Sequence, residues 1–289
     1  MMKLFDAHCH LQDPRIYNQA PKVINTALEN GILHFVVNGV SEKDWHLVKE
    51  MSENHPCLIP SFGLHPWFIM DRSPDWLTRL KEFFDANPSA AVGEIGLDKG
   101  PLAKSIDFTD QVEVFSQQLQ LAREIRRPAS VHCVHAFGDL LDIMHSIGPF
   151  PEGVILHSYL GSAEMVPEFA KLGVYFSFSG WLMEMTETKA KKMVKAVPFD
   201  RILLETDAPD ALPKSNDSES VFLVDGDEKK VLNHPANIHF VLSYVASLLE
   251  MPKEELADIS YKNAVRLFSY EGSKLQKGNE NLQDAVVAE

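Results

Sequence analysis

Cysteine is scarce in this chain: three in 289 residues, Cys9, Cys57 and Cys133. Their number is odd and their spacing fits neither a disulfide framework nor a zinc-ligand pattern, so they read as reduced thiols. No run approaches the ~18 consecutive apolar residues of a membrane-spanning helix. Met1-Met2-Lys3-Leu4-Phe5 leads directly into Asp6, His8 and His10, without the apolar stretch of a secretory signal. The expected location is cytoplasmic or nuclear, not secreted, with no membrane association. Positive charge is short as well. There are 27 Lys and Arg against 41 Asp and Glu, a formal net charge of -14. This speaks against the broad basic face of a sequence-independent nucleic-acid binder. It leaves room for a compact site where metal ions meet phosphates. Short repeats and long low-complexity tracts are missing too, and so is a Gly-x-Gly-x-x-Gly fingerprint after the first apolar run, which weighs against an open dinucleotide-binding sheet.

What is present is an alternation of apolar runs with amphipathic ones. The candidate strands are Leu4–His10, Leu33–Val40, Cys57–His65, Ala91–Leu97, Pro128–Val134, Gly153–Ser158, Val174–Ser179 and Arg201–Asp207. They are short and almost continuously apolar, as strands buried on both faces are. Residues 107–126 place Val112, Phe115, Leu119 and Ala122 at helical spacing. Residues 41–54 open with Ser41 and Asp44, an N-cap pattern. Residues 235–250 and 252–269 read as two further helices. Eight strand–helix alternations predict an α/β fold, a single distorted (β/α)8 TIM barrel. The barrel is expected over residues 1–271, with a polar C-terminal tail over 272–289. Residues 212–233 carry Asp217, Glu219, Asp225, Asp227 and Glu228 and are expected to form a long loop on the catalytic side.

The chemistry sits where these apolar runs end. In Asp6-Ala7-His8-Cys9-His10, alternate residues share a face, so His8 and His10 form a ready pair of metal ligands. A bare His-x-His is more often two hydrogen-bonded histidines. The metal reading gains from the other strands. Glu94, His132, His157 and Asp207 each end an apolar run, where an unpaired polar group would cost several kcal/mol. In a β/α barrel these ends converge on one rim, where active sites lie. Separate salt bridges are the bland alternative. Trp67, Phe137, Tyr159 and Trp181 follow strand ends on the same rim, placed either to stack on a base or to pack the loops. Lys99, Lys104 and Lys214 are the few cations expected near it.

The Asp-x-His-x-His start, Gly63-Leu64-His65-Pro66, Gly93-Glu94-Ile95-Gly96-Leu97-Asp98, Leu156-His157, Ser177-Phe178-Ser179-Gly180 and Glu205-Thr206-Asp207-Ala208-Pro209 together resemble the TatD deoxyribonucleases, within the amidohydrolase-like metal-dependent hydrolases. The resemblance spans about residues 4–270. It implies a distorted barrel, a cofactor of two divalent cations (Mg, Mn or Zn) and hydrolysis of DNA phosphodiester bonds. It further implies that His8 and His10 hold one metal and His132 and His157 the second. Glu94 would bridge the two, Asp207 would bind the first metal and face the attacking water, and His65 would lie near the substrate phosphate. Glu94 and Asp207 are thus the expected catalytic residues. A related branch bridges its metals with a modified lysine on the fourth strand, and Glu94 at that place favours the TatD pattern. Three positions depart from it: Val134-His135-Ala136 where Arg-Asp/Glu-Ala is common, Lys99 where an aromatic is common, and Asn233-His234-Pro235 where Asn-Glu/Gln-Pro is common. With so little positive charge, the expected substrate is DNA at its ends or in single strands. The alternatives are ester or amide hydrolysis on the same centre, as in a D-aminoacyl-tRNA deacylase, and a non-catalytic scaffold. No protein partner is legible.

Overall fold

The computed structural model describes residues 2–214, 220–224 and 230–276. Eight strands, β1 (Leu4–Cys9), β2 (Ile32–Asn38), β3 (Leu58–Phe62), β4 (Ala91–Asp98), β5 (Ala129–Val134), β6 (Val154–Leu156), β7 (Val174–Phe178) and β8 (Ile202–Leu204), form one parallel sheet in chain order. Helices follow them: α1 (Ala20–Glu29), α2 (Trp45–Asn54), α3 (Trp76–Ala86), α4 (Phe108–Glu124), α5 (Phe137–Ile147), α6 (Val166–Lys171), α7 (Glu187–Ala196), α8 (Ile238–Leu249) and α9 (Lys253–Leu267). This is the TIM barrel that the alternation predicts, and all eight candidate strands are present. Among the described residues no helix is long and apolar enough to cross a membrane.

The strands read as continuously apolar because both faces are buried, yet the two faces differ. Phe35 and Val37 of β2, Leu58 and Phe62 of β3, and Phe176 and Phe178 of β7 pack outward under the helices. The alternate residues point inward, and their character changes along each strand. Val36, Ile59, Ile155, Tyr175 and Leu203 form an apolar floor, sealed by Leu267 and Phe268 from the end of α9. Two residues further on come Asn38, Ser61, His157, Ser177 and Glu205, all buried and polar. The period of two therefore carries each strand from an apolar plug to a polar upper barrel.

Two irregularities aim the site. In β4, three residues from Val92 to Ile95 span only two from Ala129 to Val131, so a bulge turns Glu94 inward. Gly96 beside it has φ 151°, and a Cβ there would fall 2.0 Å from the His132 carbonyl oxygen, so only glycine lets β4 approach β5 this closely. The second irregularity is the seam between β1 and β8. Here Asp207 N–H donates to His8 O at 2.9 Å and His10 N–H to Ala208 O at 2.8 Å. Below them the Asp6 carboxyl accepts from Thr206 N–H at 2.9 Å and from its hydroxyl at 2.5 Å. Asp6 thus takes the place of a ladder partner. Burial, outweighing these bonds, pushes its carboxyl up to about 8.

Three expectations need correction or placing. Asp44 does precede α2, but its carboxylate turns back to accept from Val40 and Ser41 N–H instead of capping the helix. Residues 272–276 belong to the barrel and not to a polar tail. Ser273 is buried, and Lys274 Nζ donates to the carbonyls of Ser52 and of Leu58 (2.7 Å). Residues 277–289 lie outside the described residues. So do the acidic positions Asp217, Glu219, Asp225, Asp227 and Glu228. The described part of that connection forms a small hairpin, β9 (Leu223–Val224) with β10 (Val231–Leu232). It is tied to the start of α8 through bonds between Val221 and Asn237.

Candidate metal centre

His8 and His10 are each anchored by the nitrogen that faces away from the site. His8 Nδ1 lies 2.8 Å from Ser130 Oγ, and His10 Nδ1 donates to the Asn38 carbonyl at 2.9 Å. Both Nε2 atoms, 3.2 Å apart, therefore point at one spot. Glu94 Oε2 is 3.3 Å from the first and 3.2 Å from the second. Asp207 Oδ1 completes this side, 3.5 Å from His10 Nε2 and 3.9 Å from His8 Nε2. Asp207 has φ 52°, a left-handed conformation that a non-glycine residue rarely adopts and that recurs at functional sites.

The other oxygen of Glu94 faces a second group. Oε1 is 2.9 Å from His157 Nε2, 3.2 Å from His132 Nδ1 and 3.3 Å from His65 Nε2. His132 turns its other nitrogen to Asp98 Oδ2 at 3.2 Å, and that oxygen also accepts the Trp67 indole N–H at 2.6 Å. His157 Nδ1 faces Glu205 Oε1 at 3.5 Å. Glu205, fully buried, is held in turn by the Ser158 N–H and hydroxyl and by the Ser177 hydroxyl. His65 is different. Its Nδ1 accepts the Trp67 backbone N–H at 3.1 Å, which leaves the proton on Nε2. It is a donor aimed into the cluster, and its donor set differs from the other four.

All seven residues expected at the site are thus brought together on the C-terminal rim. The spacing suits divalent cations. Two N or O ligands each about 2.1 Å from one ion stand roughly 3.0 Å apart at a right angle and about 3.4 Å apart at a tetrahedral angle. The contacts around Glu94, 2.9 to 3.3 Å, lie close to that range, and those of Asp207 to His10 and His8, 3.5 and 3.9 Å, lie beyond it. The electrostatics agree. Burial opposes charge on Glu94, but His157, His65, His8 and His10 outweigh it and hold the carboxyl well below its usual range. Asp207 is lowered in the same way, with His10 the main cause against burial. Burial likewise opposes protonation of His10, His132 and His157. Asp207 and Glu94 for the first, Asp98 and Glu94 for the second, and Glu94 and Glu205 for the third raise them nonetheless. Two buried carboxylates that draw positive charge this strongly could hold divalent cations in place of those protons.

Sequence reasoning missed Asp98 and Glu205 as partners behind His132 and His157, and missed the two indole donors. Trp181 Nε1 donates to Asp207 Oδ2 at 3.0 Å, as Trp67 does to Asp98. Glu205 was legible, since it lies two residues before Asp207 and so on the same face. Asp98 was legible too, four residues beyond Glu94 on the same face, whereas the indole contacts cross between loops.

A sequence model for the family described as TatD related DNase matches residues 5–269. The chain belongs to the TatD family. Among related proteins, the uncharacterized metal-dependent hydrolase YabD of Bacillus subtilis is 33% identical over 269 residues, covering 92% of this chain and 98% of that protein. The 3'-5' ssDNA/RNA exonuclease TatD of Erwinia tasmaniensis is 26% identical, covering 92% of this chain and all of that protein. The crystal structure of the Escherichia coli TatD homolog YJJV superposes with a TM-score of 0.80 at 24% identity, over 92% of this chain and 98% of that one, which supports the fold.

The three departures from the TatD pattern have structural accounts. Lys99 pairs with Asp139 at 2.6 Å and lies over the Phe108 ring. His135 is exposed, with φ 54°. His234, buried, accepts the Ala236 N–H at 2.9 Å and so caps the turn that leads into α8.

Proposed function

We propose that this TatD-family protein is a metal-dependent deoxyribonuclease that hydrolyses phosphodiester bonds at DNA ends or in single strands, on a centre of two divalent cations (Mg, Mn or Zn). The observation that carries the two-cation reading is the division of Glu94 between two donor groups. Oε2 with His8, His10 and Asp207 would hold one cation, and Oε1 with His132 and His157 the other. When bound, such a pair supplies Lewis-acid polarisation of the phosphoryl oxygens and a more acidic water. The chain's own residues do the rest. Asp207 orients the attacking water and takes its proton. Trp181 fixes the rotation of that carboxylate by holding Oδ2. His65 donates its Nε2 proton to a phosphate oxygen. Asp98 and Glu205 keep His132 and His157 turned so that the correct nitrogen faces inward.

The relatives' names support a nuclease, and the Erwinia protein's name supports a single-stranded substrate. The charge supports ends and single strands over a long duplex. Even with two divalent cations added, the chain stays strongly negative. Of the three lysines near the rim, Lys99 is paired with Asp139, and Lys214 with Glu184 at 2.8 Å. The test is hydrolysis by purified protein, stripped and then reloaded with Mg, Mn or Zn. Single-stranded, blunt duplex and closed circular DNA are compared with an aminoacyl ester. Metal-dependent cutting of single strands and ends is expected. Efficient cutting of closed circles would overturn the end preference, and hydrolysis of the ester alone would move the substrate class.

A further inference from the structure

The rim of the barrel combines two features that a phosphate-binding groove lacks. Among the described residues, every exposed large hydrophobic side chain except Phe199 lies in a connection that follows the C-terminal end of a barrel strand, Val224 and Val231 in the small hairpin after β8. The two largest are Trp67, 39% exposed, and Trp181, 42% exposed. Each has its only polar atom already satisfied. Trp67 Nε1 donates to Asp98 at 2.6 Å and Trp181 Nε1 to Asp207 at 3.0 Å. An indole needs one partner for that N–H and no more, so what each still shows to solvent is apolar ring. A tryptophan that only positioned a carboxylate would gain by burying the remaining surface. These two keep it open, next to the reacting groups.

They also stand at opposite ends of the centre. Trp67 packs edge-on against His65 and His132, with ring centroids 4.7 and 5.8 Å apart, on the Oε1 side of Glu94. Trp181 holds Asp207, on the Oε2 side. A substrate whose scissile group lies over Glu94 meets one indole on each flank. Leu102, Leu160 and Phe222 are exposed on other connections that follow barrel strands.

We propose that Trp67 and Trp181 are two nucleobase-stacking platforms flanking the scissile phosphate, so that the protein holds its substrate through unpaired bases more than through the phosphate backbone. This rests on the nuclease reading and narrows its substrate to strands whose terminal bases are unstacked. Stacking on an aromatic face tolerates every base and adds roughly 5- to 150-fold in affinity per base. It compensates for a rim whose lysines are largely committed to acidic neighbours.

The experiment has two readouts. The first is indole fluorescence of metal-stripped and metal-loaded protein titrated with thymidine 5'-monophosphate or with deoxyribose 5-phosphate. Trp45 and Trp76 are buried, so quenching reports the two rim indoles. The second is hydrolysis of a single-stranded oligothymidylate against the same strand with abasic residues at its two terminal positions. The nucleotide should quench and the sugar phosphate should not, and the abasic strand should lose at least fivefold in kcat/KM. Trp67→Ala and Trp181→Ala should each erase part of that discrimination. Trp67→Phe and Trp181→Phe, which keep a ring but lose the N–H, should retain it even where kcat falls. Equal response to the two phosphates, or unchanged base discrimination in both alanine variants, would overturn the proposal. Base-dependent quenching without hydrolysis of any DNA would sink the nuclease reading and leave the platforms standing. Hydrolysis indifferent to the terminal bases would do the opposite.

Discussion

Replacing Asp98 by asparagine removes a negative charge from behind His132 while keeping the side chain's shape. In the native protein this carboxylate is almost fully buried and receives His132 Nε2, the Trp67 indole and the Gly100 N–H. Burial opposes its charge, yet these donors, led by His132, lower its carboxyl from 3.8 to about 2. At about 1.4 kcal/mol per unit, the surroundings favour the charged form by roughly 2–3 kcal/mol. A group lowered in this way contributes its stability above its unfolded value and loses it as the pH falls through the folded one. At pH 7 the whole contribution is present, so D98N should lower Tm by about 5 °C in a domain of this size. The larger effect falls on metal. Losing the partner that orients a ligating histidine typically costs ~10–100-fold in metal affinity. Only the cation held by His132 and His157 should feel it. In a two-step calorimetric titration of stripped protein, one step should weaken by that factor while the step assigned to His8, His10 and Asp207 stays within about threefold. Two steps weakened alike, or neither, would refute the division of the site into two halves.

The other expectations follow from the same geometry. Glu94→Ala should empty both cation positions, read by elemental analysis after gel filtration, because each half loses an oxygen. Asp207→Asn should retain a native circular-dichroism spectrum and lose ~10²–10⁴-fold in kcat as its proton-accepting charge disappears; retention of more than a tenth of wild-type turnover would place the base elsewhere. Asp6, His10, His132 and His157 all bind their protons more tightly folded than unfolded. Each contribution is complete below the unfolded value of 3.8 or 6.5 and is lost as the pH rises through the folded one, about 8 for Asp6. Stripped protein should therefore lose thermal stability from pH 6.5 upward. Metal-loaded protein should lose less, because cations displace the imidazole protons. A stripped protein whose Tm rises over that interval would contradict the assignment.

The barrel was legible because each strand is apolar on both faces and stops at a polar residue. Ile155-Leu156-His157 and Leu203-Leu204-Glu205 show where the floor gives way to the site. The imidazoles and carboxylates were legible for the same reason. Asp98 follows the same alternation, four residues beyond Glu94 on the inner face, because the pairing of β4 with β5 is regular from Ile95 to Asp98. Trp67 and Trp181 showed only as aromatics on the rim, since their N–H bonds depend on how two loops lie against each other. The polar stretch from residue 272 misled through composition. Lys274 reads as a solvent residue, but the carbonyls of Ser52 and Leu58 at the end of α2 and start of β3 take its ammonium into the fold. Burial lowers that lysine to about 8.

The central claim is that Glu94 joins two cation sites. Anomalous diffraction from crystals of manganese-loaded protein tests it most directly. Two peaks are expected, one beside Glu94 Oε2 among His8, His10 and Asp207, the other beside Oε1 between His132 and His157. A single peak, or peaks held by other residues, would contradict it.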